Sequence, residues 1–164
     1  MDTQRLKLEP LLKEDLEIFY QINIHPFVRK YLWDDEIISK KLAEEILEES
    51  EGKHQTEKWG LWKIMLTENK VCIGYTGLWY FFEEPYPQLL YALLPEYTGK
   101  GYAGEAAQKI VDYAFAELQF DHISAATDGP NTKSIGVCEK LGFERLEEKI
   151  IDGKPTLFYR KLAS

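Results

Sequence analysis

A short glycine-rich segment in the second half of the chain constrains its fold more than any other feature. Gly99, Gly101 and Gly104 lie between an apolar run at 89–94 and a helical pattern of small and apolar residues at 103–118. The apolar run does not alternate, which predicts a strand that is buried on both faces. A strand, a glycine turn and a helix in this order favour a site where backbone N–H groups and the positive helix end bind a pyrophosphate.

The three glycines match the pattern G-x-G-x-x-G of dinucleotide-binding folds, but their place in the chain does not. That fold puts the glycines directly after the first strand and continues with further β-α units. Here two predicted helices and three predicted strands come first, and residues 95–98 separate the strand from the glycines. Asp128 could serve as the ribose-binding acid, but too little chain follows for a second half. No Gly-Lys-Ser/Thr follows either, so the segment is not a P-loop.

The predicted order of elements is β-α-α-β-β-β-α-β-α-β-β. The first two helices are expected at 13–23 and about 37–50, followed by a polar loop at 52–58. Only 89–126 forms a parallel β-α-β crossover, and the other connections favour antiparallel neighbours. We therefore expect an α/β (α+β) fold in one domain covering residues 1–164. Its mixed, mostly antiparallel sheet should have six to seven strands, with helices on both faces.

Composition narrows the classes of partner. The chain has 20 basic and 28 acidic residues and a net charge of −8, whereas a general nucleic-acid binder needs a basic face. Cys72 and Cys138 suggest neither a disulfide framework nor a metal site. No signal peptide or membrane-length apolar run is present. We expect a cytoplasmic protein with no metal and no nucleic-acid or membrane partner.

Several segments resemble, in the same order, those of the GNAT acetyltransferases, and specifically of their RimJ/RimL-type branch. The resemblance covers nearly the whole chain. The segments are Gln4 to Leu8 with Pro10 and Asp15, His25 to Leu32, Leu93 to Tyr97 with Gly99 to Ala103, Glu105 and Ala106, and Asn131 to Ser134 with Glu139 to Phe143. Thr98 stands where the general family pattern begins with Arg or Gln. Cys138 stands where many relatives outside this branch carry a tyrosine general acid.

The resemblance implies acetyl-coenzyme A as co-substrate and a sheet whose fourth and fifth strands splay apart around its pantetheine arm. It implies that the backbone near Leu93 bonds the pantetheine or polarises the thioester, and that amides of the glycine segment hold the pyrophosphate. The predicted cofactor-binding residues are Leu93, Thr98, Gly99, Lys100, Gly101, Tyr102, Ala103, Gly104, Asn131 and Ser134.

Acetyl transfer from a thioester to an amine needs a neutral amine, donors for the oxyanion and a hydrogen bond to the departing thiolate. In RimL-like relatives a serine at the place of Ser134 is thought to act on the thiol side, so Ser134 is the candidate acid. The alternative is local, because Asn131 would cap a helix with Ser134 in its first turn. Glu83 and Glu84, in a loop between central strands, are candidate bases or simply solvated residues.

We therefore expect an N-acetyltransferase in which an amine attacks acetyl-coenzyme A directly in a ternary complex. The acceptor would be a peptide N-terminus or a small amine, and the protein a monomer or homodimer. Tyr75 and Tyr91 are candidates for lining the acceptor cleft. The alternative function is a non-catalytic coenzyme A-binding module, which Thr98, Cys138 and the lack of an obvious base would fit.

Overall fold

A computed structural model of the chain describes residues 1–81 and 85–163. Within these ranges the chain forms seven strands and five α-helices in a mixed α/β order. The strands are β1 (Leu6–Pro10), β2 (Leu61–Leu66), β3 (Cys72–Trp79), β4 (Gln88–Leu93), β5 (His122–Asp128), β6 (Glu144–Ile151) and β7 (Lys154–Leu162). The helices are α1 (Leu16–Ile24), α2 (Pro26–Leu32), α3 (Lys40–Thr56), α4 (Tyr102–Ala116) and α5 (Thr132–Lys140).

The described strands make one sheet in the order β1-β2-β3-β4-β5-β7-β6. Every neighbouring pair is antiparallel except β4 and β5, which run parallel on either side of the crossover helix α4. The predicted mixed, mostly antiparallel sheet is thus confirmed, with seven strands.

Side chains on the two faces of the sheet pack into two separate cores. One core joins Leu8 and Ile64 to α4, whose alanines Ala106 and Ala107 are fully buried and let the helix lie close to the strands. The other joins Tyr75 to α1 and α3, through residues such as Phe19, Ala43 and Leu47. Burial on both faces is the main stabilising term for such a sheet, and the predicted helices on both faces are confirmed.

The central strand β4 is paired unequally on its two edges. It pairs with β3 along six residues, from Gln88 to Leu93, but with β5 only at Gln88 and Ser124. On its other edge β5 pairs with β7 along all of its seven residues, 122–128. The two central strands therefore splay apart towards the carboxyl end of β4, as the resemblance implied.

Two helical segments differ from the sequence prediction. Helix α2 lies between the two helices that the sequence predicts. Pro26 ends α1, as predicted, but it also occupies the first turn of α2, where the His25 ring accepts the Phe27 N–H. Helix α3 continues to Thr56, so the predicted loop at 52–58 is wrong. Contacts with β2 hold these extra turns: the Ser50 hydroxyl accepts the Leu61 N–H at 2.9 Å, and His54 Nε2 lies 2.8 Å from the Leu61 carbonyl oxygen.

None of the helices in the described part of the chain is both long enough and apolar enough to cross a lipid bilayer.

The tight approach of β3 to β4 makes a testable claim about Gly74. A Cβ atom at Gly74 would lie 2.0 Å from the Ala92 carbonyl oxygen, so Gly74→Ala forces the two strands apart. We expect a loss of about 1–3 kcal/mol in the free energy of unfolding, measured by urea denaturation.

Gly52→Ala is the matched control, because Gly52 lies in α3 and a Cβ there meets nothing within 4 Å. It should stabilise the protein by up to about 1 kcal/mol. Equal effects of the two substitutions would contradict the packing of β3 on β4.

Candidate active site

The gap between β4 and β5 exposes backbone groups that a regular sheet would pair. The Leu94 N–H donates to the Ile73 carbonyl oxygen at 3.0 Å, on the β3 side. Because backbone groups of an antiparallel strand point alternately to its two neighbours, the N–H and carbonyl of Leu93 point away from β3. They face the gap, where a ligand can accept or donate a hydrogen bond. This is where the resemblance placed Leu93.

At the mouth of the gap the glycine segment forms a loop that ends in the start of α4. Gly99 and Gly101 have φ angles of +76° and +83°, a left-handed conformation that favours glycine. Within the described part of the chain, the amide N–H groups of residues 99–104 find no acceptor, and no side chain caps the helix. Together with the positive end of the α4 dipole they form a concave surface suited to an anion.

Arg5 holds this loop from the far end of the chain. Its guanidinium donates to the Lys100 carbonyl oxygen at 3.0 Å and to Glu105 Oε1 at 2.8 Å. The guanidinium carbon also lies 4.3 Å from the centre of the Tyr102 ring. Since Lys100 and Tyr102 flank Gly101, the loop geometry is fixed before any ligand arrives, which reduces the entropic cost of binding.

Helix α5 adjoins the loop. Lys133 Nζ lies 3.5 Å from Thr98 Oγ1, and the Thr98 hydroxyl itself donates to the Pro95 carbonyl oxygen at 2.8 Å. Arg5, Lys100 and Lys133 thus bring positive charge to the loop of a chain that is acidic overall. Such local charge attracts phosphates in spite of the net negative charge.

The first turn of α5 carries Ser134. Asn131 caps the helix, its Oδ1 accepting the Ser134 N–H at 3.2 Å, as the local interpretation expected. The Ser134 hydroxyl accepts a hydrogen bond of 2.9 Å from the hydroxyl of Tyr91, which projects from β4. Ser134 is therefore tied to the strand that borders the gap.

A buried polar atom on β5 has no hydrogen-bond partner within the described residues. Thr127 is 6% exposed, yet its Oγ1 has no hydrogen-bond partner among the described residues. Counting three residues on from the pair Gln88–Ser124, Thr127 lies level with Tyr91 across the gap. Burial of a hydroxyl without a partner costs free energy, which a bound polar ligand would recover.

Cys138 lies one turn after Ser134 and packs in the core. It is 3% exposed, and burial, with a smaller contribution from Glu139, raises the pKa of its thiol to about 11. A thiol that holds its proton so firmly is a poor proton donor at neutral pH. Cys138 is therefore a small residue of the core and not a suitable general acid.

The opposite face of β4 borders a small apolar cavity of about 60 Å³. Its lining residues include Trp33, Tyr75, Trp79, Phe81 and Leu90. Tyr75 lies on this side, whereas Tyr91 points to the α5 side and so not into this cavity. The two tyrosines are on opposite faces of the sheet because Tyr75 pairs with Ala92, and side chains alternate along β4. Their lining of an acceptor cleft stays a prediction.

Two acidic side chains, Asp34 and Asp128, lie near each other around Lys154. Asp34 follows Trp33 in the chain and pairs with Lys154 Nζ at 2.8 Å. Asp128 ends β5, and burial raises the pKa of its carboxyl, Lys154 opposing this and Asp34 adding to it. A carboxylate whose pKa is raised is a better proton acceptor than an exposed one.

A larger groove of about 460 Å³ lies along the carboxyl-terminal half of α4, bordered by Gln108, Asp112, Arg160 and Leu162. Neither the glycine loop nor Ser134 contributes to the walls of this groove. Within 1–81 and 85–163 no group of three or more His, Cys, Asp or Glu side chains could hold a metal ion.

Comparisons with known proteins give the family. Residues 5–144 match the family described as acetyltransferase (GNAT) domain. This chain belongs to the GNAT acetyltransferases. It is 27% identical over 143 residues to the uncharacterized N-acetyltransferase YnaD of Bacillus subtilis (strain 168), covering 87% of this chain and 81% of that protein.

Two further proteins illustrate the range of this GNAT family. The chain is 27% identical over 158 residues to spermidine N(1)-acetyltransferase of Escherichia coli (strain K12), covering 91% of this chain and 80% of that protein. The solved structure of RimL, a ribosomal L7/L12 alpha-N-protein acetyltransferase in complex with coenzyme A, has a TM-score of 0.81 at 14% identity. That similarity covers 98% of this chain and 95% of RimL, and it shows the shared fold.

The structure brings most of the predicted site residues of this GNAT enzyme to one place. The residues that border the β4–β5 gap or its mouth are Leu93, the glycine loop from Thr98 to Gly104, Asn131 and Ser134. Their roles in binding stay predictions. Glu83 and Glu84 lie outside the described residues.

The sequence does not predict three contributions to the site. They are the contact of Arg5 with the glycine loop, the hydrogen bond of Tyr91 to Ser134, and the buried hydroxyl of Thr127. Arg5 meets a loop 95 residues away, and Tyr91 meets Ser134 43 residues away, so no local pattern signals either contact.

The Arg5–Glu105 contact predicts a specific pH dependence of stability. Burial works to raise the pKa of Glu105, but hydrogen bonds from Thr3 and Arg5, with the Arg5 charge, outweigh it and lower the pKa below the usual 4.5. The carboxylate therefore stabilises the fold above pH 4.5, and this contribution disappears as the pH falls through the lowered native pKa. Glu105→Gln should be less stable than the wild type near neutral pH, with a difference that shrinks in acid.

Urea denaturation over a series of pH values measures this difference. Glu68→Gln, an exposed glutamate in the β2–β3 turn, is the control and should show little difference at any pH. A Glu105→Gln difference that stays constant from neutral to acid pH would contradict the ionic role of Glu105.

Proposed function

We propose that this chain transfers the acetyl group of acetyl-coenzyme A to a primary amine, in the manner of the RimJ/RimL-type branch. The observation that carries the proposal is the β4–β5 gap, which has free loop amides at its mouth and Ser134 at its side. An amide cradle suits a pyrophosphate, and a narrow cleft with backbone donors suits a pantetheine thioester. RimL, which shares the fold, is a protein known in complex with coenzyme A.

The residues of the gap divide the work of acetyl transfer. The Leu93 N–H faces the gap and would stabilise the oxyanion that forms when the amine nitrogen attacks the thioester carbonyl. As the new C–N bond forms and the C–S bond breaks, the Ser134 hydroxyl would donate a hydrogen bond to the departing sulfur. The attacking nitrogen gives its proton to water or a carboxylate, and coenzyme A leaves as a thiolate that takes a proton from solvent to become the thiol.

The acceptor would approach from the face that carries the aromatic cavity. Alternation along β4 puts Tyr91, with its partner Ser134, on the α5 side of the sheet. This leaves the other side, that of Tyr75 and Trp79, for the amine. Asp34 and Asp128 add negative charge there, which attracts a protonated amine, and Asp128 is the carboxylate we assign as its proton acceptor. The names of two similar proteins, a spermidine N(1)-acetyltransferase and a ribosomal L7/L12 alpha-N-protein acetyltransferase, support an amine acceptor of either the small-molecule or the protein kind.

Calorimetric titration of acetyl-coenzyme A tests the binding half of the proposal. The wild type should bind, and Gly101→Trp should abolish binding, because the side chain fills the loop and strains a left-handed backbone. Gly52→Trp, on an exposed face of α3, is the matched control and should bind normally. No binding to the wild type contradicts the proposal. Binding without thiol release across a panel of amines supports the alternative of a non-catalytic coenzyme A-binding module.

Ser134→Ala tests the catalytic half. We expect kcat to fall about 10–100-fold, below the full range for a general acid, because a thiol with a pKa near 8.5 leaves without complete protonation. The dissociation constant for acetyl-coenzyme A should change little. Thr132→Ala, an exposed residue in the same helical turn, should keep the wild-type kcat. A Ser134→Ala enzyme as fast as the wild type would remove Ser134 from the mechanism.

A further inference from the structure

The hydrogen bond between Tyr91 and Ser134 lies where the proposed reaction takes place. Tyr91 occupies the middle of β4, in the part of the strand that is not paired with β5. Its ring packs against the core on the α4–α5 face of the sheet. Its hydroxyl reaches Ser134 Oγ at 2.9 Å. A strand and a helix that are separated in the chain by the crossover and β5 are joined here by a hydrogen bond between two hydroxyls.

The direction of this hydrogen bond leaves the Ser134 proton available. Each of the two hydroxyls carries one hydrogen, and the phenol of Tyr91, as the more acidic group, donates its hydrogen to Ser134 Oγ. The serine oxygen accepts this hydrogen with a lone pair, and the Ser134 hydroxyl keeps its own hydrogen for another acceptor. Asn131 holds the Ser134 backbone N–H, so both the backbone and the side chain of Ser134 are held in place.

Tyr91 can play this donor role over the whole working range of pH. Burial raises the pKa of its hydroxyl well above the usual value, an effect that the hydrogen bond to Ser134 only partly offsets. The hydroxyl therefore stays protonated at neutral and mildly alkaline pH. It does not release its proton into the reaction, because a buried tyrosinate would be costly.

A second observation shows that this corner of the gap is shaped for a polar ligand. Thr127 lies on β5, level with Tyr91. Since side chains two residues apart share a face of a strand, Thr127 lies on the same face of the sheet as Ile123, Ala125 and Tyr91. Its buried hydroxyl is unpaired within the described part of the chain. Tyr91 and Thr127 thus carry hydroxyls on the same face of the sheet, one on each side of the gap, and Thr127 Oγ1 lacks a hydrogen-bond partner within the described residues.

We propose that Tyr91 is a positioning residue that orients the Ser134 hydroxyl towards the sulfur of the thioester, an inference that rests on the proposed acetyl transfer. Tyr91 does not touch the reacting atoms. It holds Ser134 in the rotamer that aims its hydrogen into the gap and polarises that hydroxyl by donating to its oxygen.

Tyr91→Phe tests the role while keeping the ring that packs in the core. The loss of one neutral hydrogen bond predicts a fall in kcat of about 3–10-fold, with the KM for acetyl-coenzyme A and the melting temperature nearly unchanged. In a Ser134→Ala background the same change should have no further effect, because the group through which Tyr91 acts is gone. Thiol release in the presence of an amine panel gives the rates.

Tyr113→Phe is the matched control. Tyr113 also packs against the α4-side core and loses a hydroxyl contact in the variant, with the Lys58 carbonyl oxygen, but it lies away from the gap. Its kcat should equal that of the wild type. A general effect of losing a hydrogen-bonded tyrosine hydroxyl would instead lower kcat in both variants alike.

The outcomes separate this inference from the proposed function. A kcat loss in Tyr91→Phe that vanishes in the Ser134→Ala background supports the positioning role. An active wild type with an unchanged Tyr91→Phe, or losses that multiply in the double variant, overturns the role of Tyr91 alone. A wild type that binds acetyl-coenzyme A but releases no thiol overturns the transfer function, and the positioning role with it.

Discussion

The hydrogen bonding of β4 is the constraint on which the rest of the site depends. One edge of this strand is fully paired with β3, so its position and register are fixed. The other edge is paired once and then left open, because α4 returns the chain to a β5 that follows β7 instead. A sheet normally satisfies its backbone groups internally, so open polar groups at its centre are costly unless a ligand or water pairs with them. The same divergence makes the cleft and supplies its donors.

Everything else at the site is arranged around that opening. The glycine loop lies at its mouth because it links the end of β4 to the start of α4. Arg5, directly before the edge strand β1, binds the loop through the Lys100 carbonyl oxygen. Helix α5 places Ser134 in contact with Tyr91. The two faces of β4 are chemically different, with hydroxyls on one and an aromatic cavity on the other. Such a division suits a reaction whose leaving group and nucleophile approach from different sides.

Local patterns in the sequence were sufficient for much of this architecture. The glycines, the small residues of α4 and the Asn131 cap each act within a few residues of chain, so their roles can be predicted from spacing alone. Helix α3 was predicted too short because Gly52 and polar neighbours look like a loop, whereas Ser50 and His54 gain partners on β2 that no local pattern shows. The opening between β4 and β5 came from the family resemblance, since strand divergence is a property of tertiary packing. Tyr91 and Arg5 were missed for the same reason.

The most direct test of the central claim is backbone-amide NMR of the protein titrated with coenzyme A. The claim is that the ligand lies in the β4–β5 gap with its pyrophosphate on the loop. The largest shifts should then fall on the amides of residues 99–104 and of Leu93, and β1 and β2 should change little. Shifts concentrated along the groove of Gln108, Asp112 and Arg160 would contradict the account, because the ligand would then bind away from Ser134.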